Sequence, residues 1–242
     1  MHLITTATSK DESEKHLKIA ILPVGSLEQH GDHLPLSTDT IVACVIARRL
    51  AEAYSLFLLT PVTIGCSHEH ARFTGTVSIS SQTLISIVAD IRVSLAQTGI
   101  SQLVIVNGHG GNYVLSNIVQ EANVQAPRVA LFPGRDDFVT ARGRSNMVSS
   151  NSEDMHGGEW ETSILLHEYP DLVRPTYTQN DHDAPERPHL LIAGMDAYTS
   201  NGIIGKPSAA TAEKGRLALD SLVETFADTL KVLTGRSDDV AR

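Results

Sequence analysis

Short apolar runs alternate with longer helical stretches along most of this chain, and that alternation restricts the fold more than any other feature. Residues 19–24, 56–60, 102–106 and 128–132 read as strands. Between and after them, 39–54, 81–98, 113–124 and 159–168 carry helical spacing, and a long helix closes the pattern near 209–233. Strands joined by helical crossovers form a parallel sheet covered on both faces. The expected fold is therefore α/β: a single-domain three-layer αβα sandwich with a largely parallel sheet, spanning residues 1–242. A chain of this length commonly remains one domain.

Ligands in such folds bind beyond the carboxyl ends of the strands. The loops expected there, 25–38, 65–80 and 107–112, hold the unusual residues of the sequence. In the first, Glu28 and His30 alternate by two, so extended backbone points both the same way, and Asp39 follows at the start of a helix. Asp39 alone could serve as a helix cap, but the run as a whole reads as ligands for a hard or borderline divalent metal.

In the second loop-bearing motif a strand runs into Asn107-Gly108-His109-Gly110-Gly111-Asn112, with His109 at the tip of a glycine turn. Strand, glycine turn and helix is also the setting of a dinucleotide fingerprint, but the third glycine is missing and no acidic residue closes the next strand. A third cluster, Asp154-Met155-His156-Gly157-Gly158-Glu159-Trp160-Glu161, opens a helix. Acidic residues in a first turn are ordinary choices, so Glu159 and Glu161 taken alone read as structural. Together with His156 they offer one more ligand and a titratable group. A fourth, Gly65-Cys66-Ser67-His68-Glu69-His70, places two histidines two apart. It lacks the second glycine of a nucleophile elbow. His70 is expected to orient other ligands, and spacing does not assign His68.

The segment 174–207 is rich in proline and glycine and reads as an irregular connection, either a binding lid or a solvated loop. The net charge of −9 arises without blocks of like charge, so neither a nucleic acid nor an anionic membrane is an expected partner. Two cysteines, Cys44 and Cys66, offer no disulfide framework and read as reduced thiols. Residues 1–18 are charged and lack the apolar stretch of a secretory signal, so a cytoplasmic location is expected.

Three separated motifs carry a resemblance to the creatininase family: Leu22-Pro23-Val24-Gly25-Ser26-Leu27-Glu28-Gln29-His30-Gly31, Asn107-Gly108-His109-Gly110-Gly111-Asn112 and His156-Gly157-Gly158-Glu159-Trp160-Glu161-Thr162-Ser163. Asn201-Gly202-Ile203-Ile204-Gly205-Lys206-Pro207 also resembles family members, so the likeness covers nearly the whole chain. It implies two divalent metal ions per chain, zinc, manganese or iron, and hydrolysis of C–N bonds in cyclic or linear amides by metal-activated water. Carried over by position, Glu28, His30, Asp39, His109 and Glu161 match metal ligands, with Asp39 as the bridge.

His156 and Glu161 are the expected catalytic residues. His70, Glu69, Asn107 and Trp160 are expected to touch substrate or to orient the ligands. The family likeness further implies a homo-oligomer, often a hexamer. One departure stands out: creatinine hydrolases resemble His-Tyr-Glu where this chain has His109-Gly110-Gly111, which removes a carboxylate at Gly111 and argues against creatinine. A small cyclic amide or formamide is the expected substrate. The alternatives are a peptide, as in family members that trim the mycofactocin precursor, and a catalytically idle metal-binding scaffold.

Overall fold

A computed structural model describes residues 4–235; the ends of the expected 1–242 domain, residues 1–3 and 236–242, lie outside the described residues. The elements run α1 (Ser9–Lys15), β1 (Ile19–Val24), α2 (Thr38–Tyr54), β2 (Phe57–Leu58), α3 (Ser81–Gln97), β3 (Gln102–Asn107), α4 (Val114–Ala122), β4 (Val129–Phe132), α5 (Arg135–Arg144), α6 (Glu159–Glu168), α7 (Leu190–Ala193) and α8 (Ala212–Thr234). The four strands form one sheet in the order β2-β1-β3-β4, every neighbouring pair parallel. This is the expected α/β sandwich.

Its two cores follow from the twofold alternation of side chains along a strand. Ile21, Val104, Val106 and Phe132 face α2, α6 and α8, where Ile46, Leu50, Ile164, Leu165, Leu222 and Phe226 complete one apolar layer. Ala20, Leu22, Val24, Leu103, Ile105 and Val129 face the other way, against Leu84 and Val88 of α3 and Leu115 and Ile118 of α4. At roughly 1.5–3 kcal/mol for each fully buried large apolar side chain, these layers are the main favourable term of the fold. Helix α2 is buried almost all round in its first half because it lies beneath β1 and β3 with α6 and α8 behind it.

Most expected boundaries agree with the structure to within three residues. The edge strand differs most: only Phe57–Leu58 pairs regularly, although Leu59 and Val62 still donate to the Ile21 and Pro23 carbonyls. Pro61 between them has no N–H to give, so the ladder is interrupted there. Three helices were not expected: α1, α5 and the single turn of α7. Helix α1 buries nothing and is held by a Thr8–Asp11 capping box. Helix α5 sends few apolar side chains inward and packs against α8.

The segment 174–207 is irregular, as expected, but tied down. It contains short 3₁₀ turns at Pro175–Gln179 and Met195–Ala197 around the single turn of α7. Paired backbone bonds link His182 with Gly205 and Ile204 with His156, fastening it across the loop before α6. Among the described residues, no helix is long and apolar enough to cross a membrane.

Candidate active site

The loops after β1 and β3 meet the start of α2 above the carboxyl ends of the two central strands. Close approach depends on Gly108, where an added Cβ would collide with the Asp39 carbonyl oxygen. That contact lets the turn carrying His109 lie against the first turn of α2. Asn112 fastens the arrangement: its side chain accepts from the Cys66 N–H (2.8 Å) and donates to the Gly25 carbonyl (3.2 Å) and to Asn107 Oδ1 (3.1 Å). Asn107 in turn donates to the His109 carbonyl (2.8 Å), shaping the turn rather than reaching the centre of the basin.

Inside this frame, Glu28, His30, Asp39, His109 and His156 come together with their side chains almost wholly buried. Asp39 faces two ways. Its Oδ1 lies 3.2 Å from His30 Nε2, and its Oδ2 lies 3.3 Å from His109 Nδ1. Glu28 Oε1 stands 3.1 Å from His109 Nδ1, 3.3 Å from His70 Nε2 and 3.6 Å from His156 Nδ1. Glu161 Oε1 approaches His30 Nε2 at 3.6 Å, while its Oε2 accepts from the Gly157 N–H at 2.6 Å.

Three imidazoles are each anchored through one ring nitrogen to a backbone carbonyl: His30 Nδ1 to Glu28 (3.1 Å), His109 Nε2 to Cys66 (3.1 Å) and His156 Nε2 to Gln29 (2.6 Å). A carbonyl oxygen only accepts, so each of these nitrogens carries a hydrogen, and the other, on the side of the carboxylates, is the one that can offer a lone pair to a cation once it is deprotonated. That is how proteins orient histidines toward a metal.

The buried acids give a second indication. Both oxygens of Glu28 and Oδ2 of Asp39 have no aligned hydrogen-bond donor. Buried carboxylate oxygens are costly unless hydrogen-bonded or bound to a cation. Three sets have ligand atoms close enough to share an ion: Glu28, Asp39 and His109; His30, Asp39 and Glu161; and Glu28, His30 and His156. The residues present thus fit divalent metal, and Asp39 belongs to the first two sets.

The charges of the metal-free site are mutually dependent. Burial, followed by the neighbouring Asp39 charge, raises the Glu28 carboxyl to about 7. Burial opposes charge on Asp39 too, but His30 and His109 hold it well below the carboxylate range. Burial likewise works against protonating His30 and His109, and their facing carboxylates overcome it, raising both. His156 is lowered to about 4 by burial and by His30, and His70 is lowered by burial and its imidazole neighbours.

The other expected residues divide by position. His70 is buried, with the Gln29 amide 3.0 Å from its Nδ1. His68, on the same 3₁₀ turn, is exposed, because two residues apart on such a turn are about 240° apart. Glu69 Oε1 lies 3.3 Å from His109 Nε2. Trp160 walls the cavity, edge-on to Phe138 (5.0 Å between centroids) and under the Arg142 guanidinium. Glu159, read as structural, accepts from the Val148 and Ser149 N–H groups and pairs with Lys214 at 2.5 Å.

Sequence reasoning missed the role of Asp154, which accepts from the Glu159 and Trp160 N–H groups at 2.7 and 2.9 Å and pairs with Arg142 at 2.8 Å. Its placement ahead of a glycine pair and a helix is a capping signal that could have found it. The basin opens into a cavity of about 530 Å³ whose outer wall includes Tyr113, Arg187 and Leu190. A second hollow beside it, lined in part by the same Glu69, Gly111, Tyr113 and Leu190, extends along α7.

Fold and site together define a class: a parallel α/β sandwich with a preorganised carboxylate–imidazole basin at the carboxyl ends of its strands. A family model described as creatinine amidohydrolase matches residues 3–230, and the chain belongs to the creatininase family. It is 35% identical over 235 residues to a mycofactocin precursor peptide peptidase of Mycolicibacterium smegmatis, covering 93% of this chain and 89% of that one. It is 29% identical to a creatinine amidohydrolase of Pseudomonas putida, over 88% of each chain. Among solved structures it is similar to a manganese creatininase (27% identity, TM-score 0.77, 93% of this chain and 96% of that one). A creatininase of Zn–Zn type superposes comparably (27% identity, TM-score 0.78, 96% and 98%).

Proposed function

We propose that this protein is a divalent-metal-dependent amidohydrolase that cleaves a C–N amide bond with water. The observation that carries the reading is the two-way carboxylate of Asp39, each oxygen facing a different buried histidine whose far nitrogen is fixed to a backbone carbonyl. Glu28, Asp39 and His109 would hold one ion, and His30, Asp39 and Glu161 a second; the Mn and Zn–Zn creatininases support metal of this kind. Such ions supply Lewis-acid polarisation of a carbonyl and water activated at neutral pH.

The protein's own groups then manage orientation and protons. The Gln29 carbonyl keeps the hydrogen of His156 on Nε2, leaving Nδ1 as the atom that accepts a proton. Burial makes that proton weakly held, so His156 can pass it to the departing nitrogen. Glu161, oriented by the Gly157 N–H, stands on the same side of the basin. Trp160, Val42, Ile46 and Phe138 give the cavity a water-excluding wall against which the acyl part of a substrate can rest.

A second reading, in which the amide is part of a peptide, is favoured by a specific observation. The cavity and its neighbouring hollow share four lining residues and together exceed what a single small ring would fill. The peptidase relative at 35% identity points the same way.

The test begins with elemental analysis of the purified protein, followed by amine release from cyclic amides, formamides and short peptides before and after chelation. About two metals per chain and chelator-sensitive turnover are expected. A folded protein that takes up no zinc, manganese or iron would overturn the assignment, and full metal content without turnover on any amide would favour an idle scaffold.

A further inference from the structure

We propose that Arg187 binds a carboxylate of the substrate, so that this site selects linear amides whose nitrogen-bearing fragment ends in a free carboxylate. The chemistry of cleavage rests on the amidohydrolase reading above, and the recognition step rests only on its metal-loaded floor.

Three arginines lie around the cavity and its adjoining hollow. Arg142 is committed to Asp154 at 2.8 Å and to the Ser149 carbonyl at 3.1 Å. Arg72 is committed to Asp196 at 2.8 Å. Arg187 differs: among the described residues its guanidinium has no carboxylate within ion-pair distance, and its one hydrogen bond goes to the Ala184 carbonyl of its own loop. A guanidinium carries five N–H donors in a fork that matches a carboxylate. Most of those donors are unused on a half-buried side chain that lines the cavity.

The charge of the basin makes this position informative. Glu28, Asp39, Glu69 and Glu161 place four carboxylates at its floor, and the nearby Asp154 is already balanced by Arg142. Two divalent ions would therefore leave the floor without excess positive charge. An anionic group on the substrate has to be recognised elsewhere, and Arg187 is the unpaired cation among the described residues of the cavity wall. Leu190, which opens α7 just after Arg187, lines both this cavity and the hollow beyond it and gives the same wall an apolar side chain.

Binding can be read without turnover, because Trp160 is the sole tryptophan of the chain and lines the same cavity. Quenching of its fluorescence would be titrated in the metal-loaded protein with N-acetyl-leucine against N-acetyl-leucinamide, and with acetyl-trileucine against its C-terminal amide. We expect the free acid of at least one pair to bind about 10- to 100-fold more tightly than its amide, the range for a hydrogen bond to a charged group. The pair that discriminates tells an acyl amino acid from a peptide end. R187A and R187Q should both erase the preference while leaving amide binding unchanged, and R187K should retain part of it. Equal binding of acid and amide in both pairs, or a preference that survives in R187Q, overturns the proposal. Carboxylate selectivity in a protein that hydrolyses none of these amides would instead fault the amidohydrolase reading.

Discussion

The carboxylate of Glu69 occupies the volume into which a side chain at Gly111 would project. An added Cβ at Gly111 would collide with Glu69 Oε1 and with His109 Nε2. The acid missing from the second motif is thus matched by one arriving from another loop. From there it faces the outer nitrogen of His109 at 3.3 Å, opposite the nitrogen that addresses Glu28 and Asp39. A carboxylate behind a histidine fixes its ring and raises its basicity.

Replacing Glu69 with Ala should therefore lower metal affinity or activity by about 10- to 100-fold. G111E added to E69A should not recover the loss, because a Cβ at 111 still meets the His109 ring and the Cys66 carbonyl oxygen. Metal titration and turnover of the two variants check this, and an E69A protein indistinguishable from the parent would remove Glu69 from the site.

Asp39→Ala should abolish metal binding at both positions together, since its two oxygens serve two separate ligand sets. Elemental analysis of the variant decides the matter. Retention of about one ion per chain would mean that Asp39 does not bridge.

Metal uptake should release protons and strengthen as pH rises through neutrality. In the metal-free protein Glu28 titrates near 7, and His30 and His109 hold their protons above the ordinary histidine range. These protons must leave before a cation can bind, so raising the pH removes a competitor. Affinities measured at pH 6, 7 and 8 should increase in that order; a flat series would contradict the charge assignment.

Asp154→Ala should destabilise the fold by about 3–5 kcal/mol, the loss expected when one partner of a buried ion pair is removed. Arg142, itself only 8% exposed, would be left charged without its partner, and the first N–H groups of α6 would lose their acceptors. Urea unfolding at constant metal content measures it. A change below about 1 kcal/mol, the scale of an exposed pair, would show that solvent reaches Arg142.

The sheet was legible because its strands are buried on both faces, which leaves runs such as 19–24 and 103–106 uninterrupted by polar residues. The carboxylates and imidazoles that gather in the basin stood out because such residues crowd the strand-end loops of the sequence. Helix α5 was not, since its 10 residues include few apolar ones and its spacing has no helical stripe. Nor could spacing separate His70 from His68, because an extended strand and a 3₁₀ turn place residues two apart on the same side and on different sides respectively. Arg187 was given no role because an arginine acquires meaning from which partners it has or lacks in space, whereas Asp154 carried a capping signal that went unused.

Asn112 joins the turns that follow β1 and β3 to the loop at Cys66, through two backbone partners and the Asn107 side chain, none of them on the proline-rich segment 174–207. The floor is thereby one mechanical piece, and the wall bearing Arg187 and Leu190 is carried between anchors on it, Arg174 on His33 at one end and Gly202 and Ile204 on Gln29 and His156 at the other. Insertions, deletions or exchanged side chains in that stretch can alter which molecule is admitted while the floor keeps its dimensions. A scaffold partitioned in this way can diversify its clientele without relearning its chemistry.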